Sequence, residues 1–181
     1  ATNTQGLDGG NYTNMINLLS NKDDYQFNIL FVPGLIDSLH TAAITTLITN
    51  TQQRGDNLLL VDPVAYGSSY TAAITQASTR DNSYAAAYWP WVQIQDPATG
   101  KNVWVPPSTV IAGVYAYNDK VGETWKAPAG INRGGLSVIR AEQKISQPMQ
   151  DALYVGKINP IMTFPGYGIV VFGQKTLQTK A

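Results

Sequence analysis

His40 is the only imidazole in the chain, so a nucleophilic triad would have to unite it with a serine and a carboxylate. It lies at a predicted helix start, a position that suits a solvated residue better than a base. The stretch Ala65-Tyr66-Gly67-Ser68-Ser69 does not match the G-x-S-x-G turn that presents a nucleophilic serine. Metal binding needs clustered His, Cys, Asp or Glu. In the sequence Asp23-Asp24 and Asp37 stand isolated, and there is no cysteine. Asp62 follows an apolar run, at the end of a strand where ligands bind in open parallel sheets. Together with Asp37 and Pro33-Gly34 it could line a crevice, or it simply opens a turn before Pro63. Glutamate occurs only at Glu123 and Glu142, which gives no acid/base pair in one cleft. Gly166-Tyr167-Gly168 precedes an apolar strand rather than a helix, so it reads as a hairpin turn and not a phosphate cradle. These residues predict no catalytic, metal or cofactor site.

The elements that would have to position them follow from periodicity. Residues 1–10 are rich in Asn, Thr and Gly and read as a flexible lead-in. Tyr12, Met15, Ile16 and Leu19 keep helical spacing. Phe27 to Val32 is a short apolar run closed by Pro33-Gly34, a buried strand and its turn. A helix follows with one face at Leu39, Ala43, Ile44, Leu47 and Ile48, with Ser38 as its cap and Gly55 beyond its end. Leu58 to Val61 is a second strand, Ser69 to Ser78 a helix, and a third strand begins near Tyr84. Strand, helix, strand, helix, strand predicts an α/β fold, with a parallel or mixed sheet flanked by helices. Residues 11–83 form this βαβα part of one domain of 181 residues. Residues 84–177 follow it as hairpin (Trp91–Gln95 with Asn102–Val105), helix from Ser108, irregular loop 123–135, a helix with Pro148 in its first turn, and a C-terminal hairpin. A polar tail runs from Gln174, and residues 178–181 are the tail end of the same single domain.

Composition narrows the function classes. Twelve basic and twelve acidic residues cancel, whereas nucleic-acid binding rests on a basic excess. No apolar run reaches the ~20 residues of a membrane-spanning helix. Charged residues are 13% of the chain against roughly 25% in typical domains, which suits burial against other protein. All four tryptophans fall within residues 88–133. At a spacing of two, Trp89 and Trp91 are predicted to share one strand face. They form a stacking platform for sugars or bases there, or serve as packing and contact anchors. Trp125, Pro128 and Arg133 give the loop 125–135 an anchoring ring, a rigid turn and a guanidinium suited to bidentate pairing. Trp89, Trp91, Trp125, Lys126, Asn132 and Arg133 are the candidate contacts to other subunits or domains.

Three blocks in this order make the reading specific. The first is Trp91-Val92 with Asp96-Pro97, Thr99-Gly100-Lys101 and Trp104-Val105-Pro106-Pro107-Ser108. The second is Val110-Ile111-Ala112-Gly113-Val114-Tyr115-Ala116 with Trp125-Lys126-Ala127-Pro128-Ala129-Gly130 and Ile131-Asn132-Arg133-Gly134. The third is Ile158-Asn159-Pro160-Ile161 with Gly166-Tyr167-Gly168-Ile169-Val170-Val171-Phe172-Gly173. Over Tyr84 to Leu177, roughly half the chain, these blocks resemble the contractile tail sheath proteins of bacteriophages; residues 27–80 agree in architecture only. The resemblance implies a core domain of subtilisin-like topology without catalytic residues and without cofactors. It implies further arms and domains on either side, so that the chain is a fragment of a longer protein. Partners implied are other sheath subunits in helical rings, the tail tube protein, the baseplate and the tail terminator, with no direct contact to nucleic acid and no membrane insertion. The implied location is the virion tail, assembled in the host bacterial cytoplasm, where contraction drives the tube through the host envelope. The equivalent sheath of a bacterial injection machine, of bacteriocin or secretion type, fits the same blocks. An α/β hydrolase-like enzyme remains the reading from a different class.

Overall fold

The computed structural model describes residues 6–7, 9–123 and 125–179; the rest of the expected lead-in (1–5 and 8) and Lys180-Ala181 of the tail lie outside it. The elements follow in chain order. Helix α1 spans Gly9–Leu19, β1 Ile29–Ile36, α2 Thr41–Arg54, β2 Leu58–Asp62, α3 Tyr70–Ser78, β3 Ala85–Trp89, β4 Val92–Gln95, β5 Asn102–Val105 and α4 Ser108–Val121. Then come β6 Gly135–Leu136, β7 Arg140–Ala141, α5 Gln147–Val155, β8 Ile158–Phe164 and β9 Gly168–Val171. The main sheet has the order β1-β2-β3-β8-β9-β6. Its first four strands run parallel, and β9 and β6 add antiparallel. A smaller antiparallel sheet has the order β5-β4-β7.

Two apolar layers sandwich the main sheet. Alternate strand residues feed opposite sides. Leu59, Val61, Ala85, Ala87 and Trp89 meet α1, α2, α3 and α5, while Leu60, Ala86 and Tyr88 meet Ile111 and Val114 of α4. The continuous apolar runs in β2 and β3 thus belong to strands buried on both faces. Gly55 adopts the left-handed conformation (φ 69°) as the C-cap of α2, its N–H donating to the Thr51 carbonyl. Gly166 and Gly168, both at φ 81°, form the β8–β9 turn as their sequence predicts.

Several expectations are corrected. Helix α1 starts at Gly9, inside the predicted flexible lead-in. Pro33-Gly34 does not end β1. The strand continues to Ile36 through a bulge, its register jumping from Phe31↔Leu60 to Ile36↔Asp62. An edge strand tolerates the missing N–H of Pro33, and Gly34 at φ 93° lies within the irregular stretch, where β1 advances five residues against two in β2. Helix α2 begins at Thr41, not after a Ser38 cap. Its N-cap position is held by His40, and Thr41 Oγ1 donates to the Asp37 carbonyl at 2.8 Å. Ser108, which the sequence offers as a cap for the following helix, is instead its first residue.

The tail from Gln174 is not a loose end. Leu177 is fully buried, and its N–H donates to the Ala85 carbonyl at 2.8 Å. Asn159, itself buried, brackets the segment. Its Nδ2 donates to the carbonyls of Ala87 (3.1 Å) and Lys175 (2.7 Å), and its Oδ1 accepts the Lys175 N–H at 2.7 Å. Glycine at 173 permits this approach, because a Cβ there would stand 2.8 Å from Asn159 Oδ1. Asn159→Ala orphans buried backbone groups and is expected to cost about 2 kcal/mol. Limited proteolysis should then cut between 173 and 179; an unchanged denaturation midpoint and cleavage pattern would refute the bracket.

Candidate functional site

The two carboxylates predicted to line a strand-end crevice are both engaged in the fold. Asp37 receives a bidentate pair from Arg80, Nη2 to Oδ1 at 2.6 Å and Nε to Oδ2 at 3.2 Å. Arg80 also donates to Thr45 Oγ1 (2.6 Å) and to the Thr41 carbonyl (3.2 Å). It therefore joins the turn after α3 to the first turns of α2. Asp62 reaches from the end of β2 to the start of α4. It accepts the Ser108 N–H at 3.0 Å and the Ser108 hydroxyl at 2.6 Å. A carboxylate here satisfies one of the unpaired N–H groups of the helix and meets the positive end of its dipole. Burial nevertheless dominates: it pushes the Asp62 pKa up to about 6, against the lowering effect of the two Ser108 bonds. His40 is half-buried, its Nδ1 at 3.2 Å from both the Ile36 N–H and the Ile36 carbonyl, so it is not the solvated residue expected. Among the described residues no three His, Cys, Asp or Glu side chains converge to hold a metal.

The aromatic platform does not form. Trp89 ends β3 and is 1% exposed, inside the core beneath α1, α2, α3 and α5. Pro90 follows, and the chain passes into the smaller sheet at Val92. Trp91 therefore belongs to a different layer. Its Nε1 donates to the Val64 carbonyl at 3.0 Å, and its ring meets Tyr66 edge-on at 5.9 Å. Tyr66 also stacks on Trp104 at 5.2 Å, and the Arg140 guanidinium covers the Trp104 ring at 5.1 Å. Period-two reasoning fails because the two rings straddle a change of sheet. Burial removes Trp89 from the set of accessible contacts.

The other four candidates lie along the segment that leaves α4. Trp125 is 79% exposed, the large ring most fully offered to solvent among the four tryptophans, and Asn132 is exposed with it. Lys126 is anchored through its backbone, its carbonyl accepting from Asn118 Nδ2 at 2.8 Å. Arg133 is half-buried, its Nε 3.9 Å from where a Cβ on Gly122 would stand. A cation there complements the carboxyl end of α4. The segment is held at its far end by Gly130, whose N–H donates to the Val171 carbonyl (2.8 Å) and whose carbonyl accepts from Gly134 (2.7 Å). A Cβ at 134 would lie 2.6 Å from the Val171 oxygen, so this loop is built around glycine at that point. Beyond it, a cleft of about 1070 Å³ opens between α4, residues 131–144 and the β8–β9 turn.

Sequence reasoning missed Arg80, Ser108, Tyr66 and Asn159. Ser108 reads as a helix start, but its partner lies 46 residues away, and no local pattern encodes that pairing. Arg80 and Asn159 are likewise defined by tertiary partners.

A mixed sheet packed between helices, with its strand-end carboxylates tied into an ion pair and a helix N-terminus, defines an α/β domain. The chain belongs to the family described as phage tail sheath protein central domain, which it matches over residues 7–177. That match extends well before Tyr84, where the recognisable blocks begin. The chain is 41% identical over 87 residues to the tail sheath protein of Vibrio phage KVP40, and 45% identical over 76 residues to that of Enterobacteria phage T4. These stretches cover 48% and 41% of this chain but only 13% and 12% of the two relatives. A subunit of the anti-feeding prophage helical sheath in its contracted state aligns with a TM-score of 0.70 and 27% identity, over 97% of this chain and 46% of that one. The family is structural, and the chain is not an enzyme; the hydrolase-like alternative falls.

Proposed function

We propose that the chain forms the core of a contractile sheath subunit, which stacks with copies of itself in helical rings around a tail tube. The sheath joins a baseplate at one end and a terminator at the other. On triggering, it shortens and drives the tube through the host cell envelope. The observation that carries this reading is the family match over residues 7–177, joined to the alignment of nearly the whole chain with a subunit from a contracted sheath. No nucleotide is consumed. The assembled lattice has two packings of different free energy, and contraction is the passage to the lower one. The particle is a phage tail, built in the bacterial cytoplasm before release. A second reading, the sheath of a bacterial injection machine, is supported by the likeness to the anti-feeding prophage sheath. The higher identity to the phage sheaths favours the first.

Within this reading, Trp125 with Lys126, Asn132 and Arg133 forms a contact between subunits or domains. An exposed tryptophan on a braced loop is the kind of residue that dominates protein interfaces. The full-length protein is expected to polymerise into hollow tubes visible by negative-stain microscopy; a protein that stays monomeric at high concentration would overturn the proposal. Trp125→Ala should weaken polymerisation by about 2 kcal/mol per contact while shifting the melting temperature by no more than about 1 °C, since a solvent-facing ring contributes little to the fold. Loss of folding together with assembly would instead place Trp125 among the packing residues.

A further inference from the structure

The balanced net charge conceals a separation. Residues 1–100 carry three Lys or Arg against eight Asp or Glu, and residues 101–181 carry nine against four. Five of the first-half carboxylates, Asp23, Asp24, Asp37, Asp56 and Asp62, flank or end β1 and β2, at one edge of the main sheet. At the acidic edge, Asp37 and Asp56 are neutralised by Arg80 and Arg54, and Asp62 is buried against Ser108. The exposed carboxylates there are Asp23 and Asp24, in the loop that leads into β1, with Tyr25 exposed beside them. The loop is fixed: Arg54 donates to the carbonyls of Leu19 (2.5 Å) and Tyr25 (2.8 Å), and Lys22 Nζ donates to the Arg54 carbonyl.

The opposite edge holds the cleft. Among its described lining residues Arg140 and Lys144 are charged and none is acidic. Tyr117, Ile139 and Tyr167 leave apolar surface open within it. The outermost strands of both sheets, β6 and β7, contribute to its wall.

From this complementarity we infer that the cleft receives the Asp23-Asp24-Tyr25 loop of a second copy of the chain. The two carboxylates meet Arg140 and Lys144, and Tyr25 covers the apolar wall. Loop and cleft are different surfaces at opposite edges of one sheet, so the contact is head-to-tail. Such contacts propagate into rings or helices instead of closing into a dimer. The pinned loop loses little conformational freedom on docking. This inference rests on the sheath reading and assigns one of its subunit contacts.

Charge exchange in the full-length protein tests it. Asp23→Lys with Asp24→Lys should raise the concentration needed for tube assembly roughly tenfold, because like charges then face each other. Lys144→Glu, alone and with Arg140→Glu, should do the same; the single variant spares Arg140, whose Nε donates to Gln93 Oε1 at 2.9 Å and whose guanidinium covers Trp104. Combining the acidic-side reversals with the Arg140→Glu and Lys144→Glu pair in one chain should restore assembly, with circular dichroism confirming the fold of each variant. Tubes that form equally well from every variant, or a loss that the combined chain does not restore, would overturn the inference while leaving the sheath reading standing. A parent protein that never assembles would overturn both.

Discussion

Replacing Asp37 with alanine will lower the stability of the folded chain by about 3–5 kcal/mol, the largest single effect expected outside the apolar core. Asp37 is 1% exposed, and the Arg80 side chain that it holds is 11% exposed. Removing the carboxylate leaves a guanidinium partly desolvated with only Thr45 Oγ1 and the Thr41 carbonyl as partners. The cost comes from the stranded charge rather than from the lost attraction, so the paired change should be milder. Asp37→Ala with Arg80→Met is expected to be less destabilised than the two single variants added together, by about 1–3 kcal/mol of coupling. Urea denaturation of the four proteins measures this. Strict additivity would show that Arg80 finds water once its partner is gone.

Asp62 comes second, and its effect depends on pH. Asp62→Ala leaves the Ser108 N–H and hydroxyl buried without an acceptor, an expected loss of about 2–3 kcal/mol. That is roughly 5–10 °C of melting temperature for a domain of this size. Asp62→Asn keeps an acceptor for the N–H and should be tolerated. The carboxyl titrates near 6 in the fold, above the usual 3.8. Between those two values the folded chain binds more protons than the unfolded chain, so the Asp62 contribution is most favourable below pH 4 and declines as pH rises through 6. The decline is on the order of 3 kcal/mol, and it is flat above. Asp56 and Asp96 are shifted the other way, each chiefly by a side-chain hydrogen bond, from Arg54 and Thr99. Glu142 is raised by burial, but all these groups are common to both proteins, so the difference between parent and Asp62→Asn reports Asp62 alone. Relative to the parent, the asparagine variant should gain stability between pH 4 and pH 7. A constant difference across that range would refute the shift.

The parts of this fold that were legible in the sequence are those set by local chemistry. Gly55 had to close α2 because it follows Arg54 at the end of a helical stripe. The Pro165-Gly166 turn had to join two apolar runs. The apolar runs of β2 and β3 marked strands buried on both faces. Local reasoning failed where two local signals competed or where the partner was distant. Pro33-Gly34 has the composition of a turn, but an edge strand accommodates both residues as a bulge. The spacing of Trp89 and Trp91 is that of a strand face, but the chain changes sheets between them. The helix cap expected of Ser108 comes instead from Asp62, brought there only when β2 and α4 pack. For the proposed contacts, Trp125 was legible as an uncommon ring in a Gly- and Pro-rich loop. The complementarity of the Asp23-Asp24 loop and the cleft was hidden by a net charge of zero, because only the fold brings Arg140 and Lys144 into one cleft.

The bracket around Asn159 bears on mechanics. Leu177 is tied to Ala85 in β3, and Lys175 is held from both sides by one amide of β8. A pull applied beyond residue 177 therefore enters the sheet at its middle strands, not at the weakly paired two-residue strand β6 on its rim. Tension at this point is shared by several hydrogen bonds and by the buried Leu177 side chain at once, so the domain transmits displacement as a stiff body instead of unravelling from its margin.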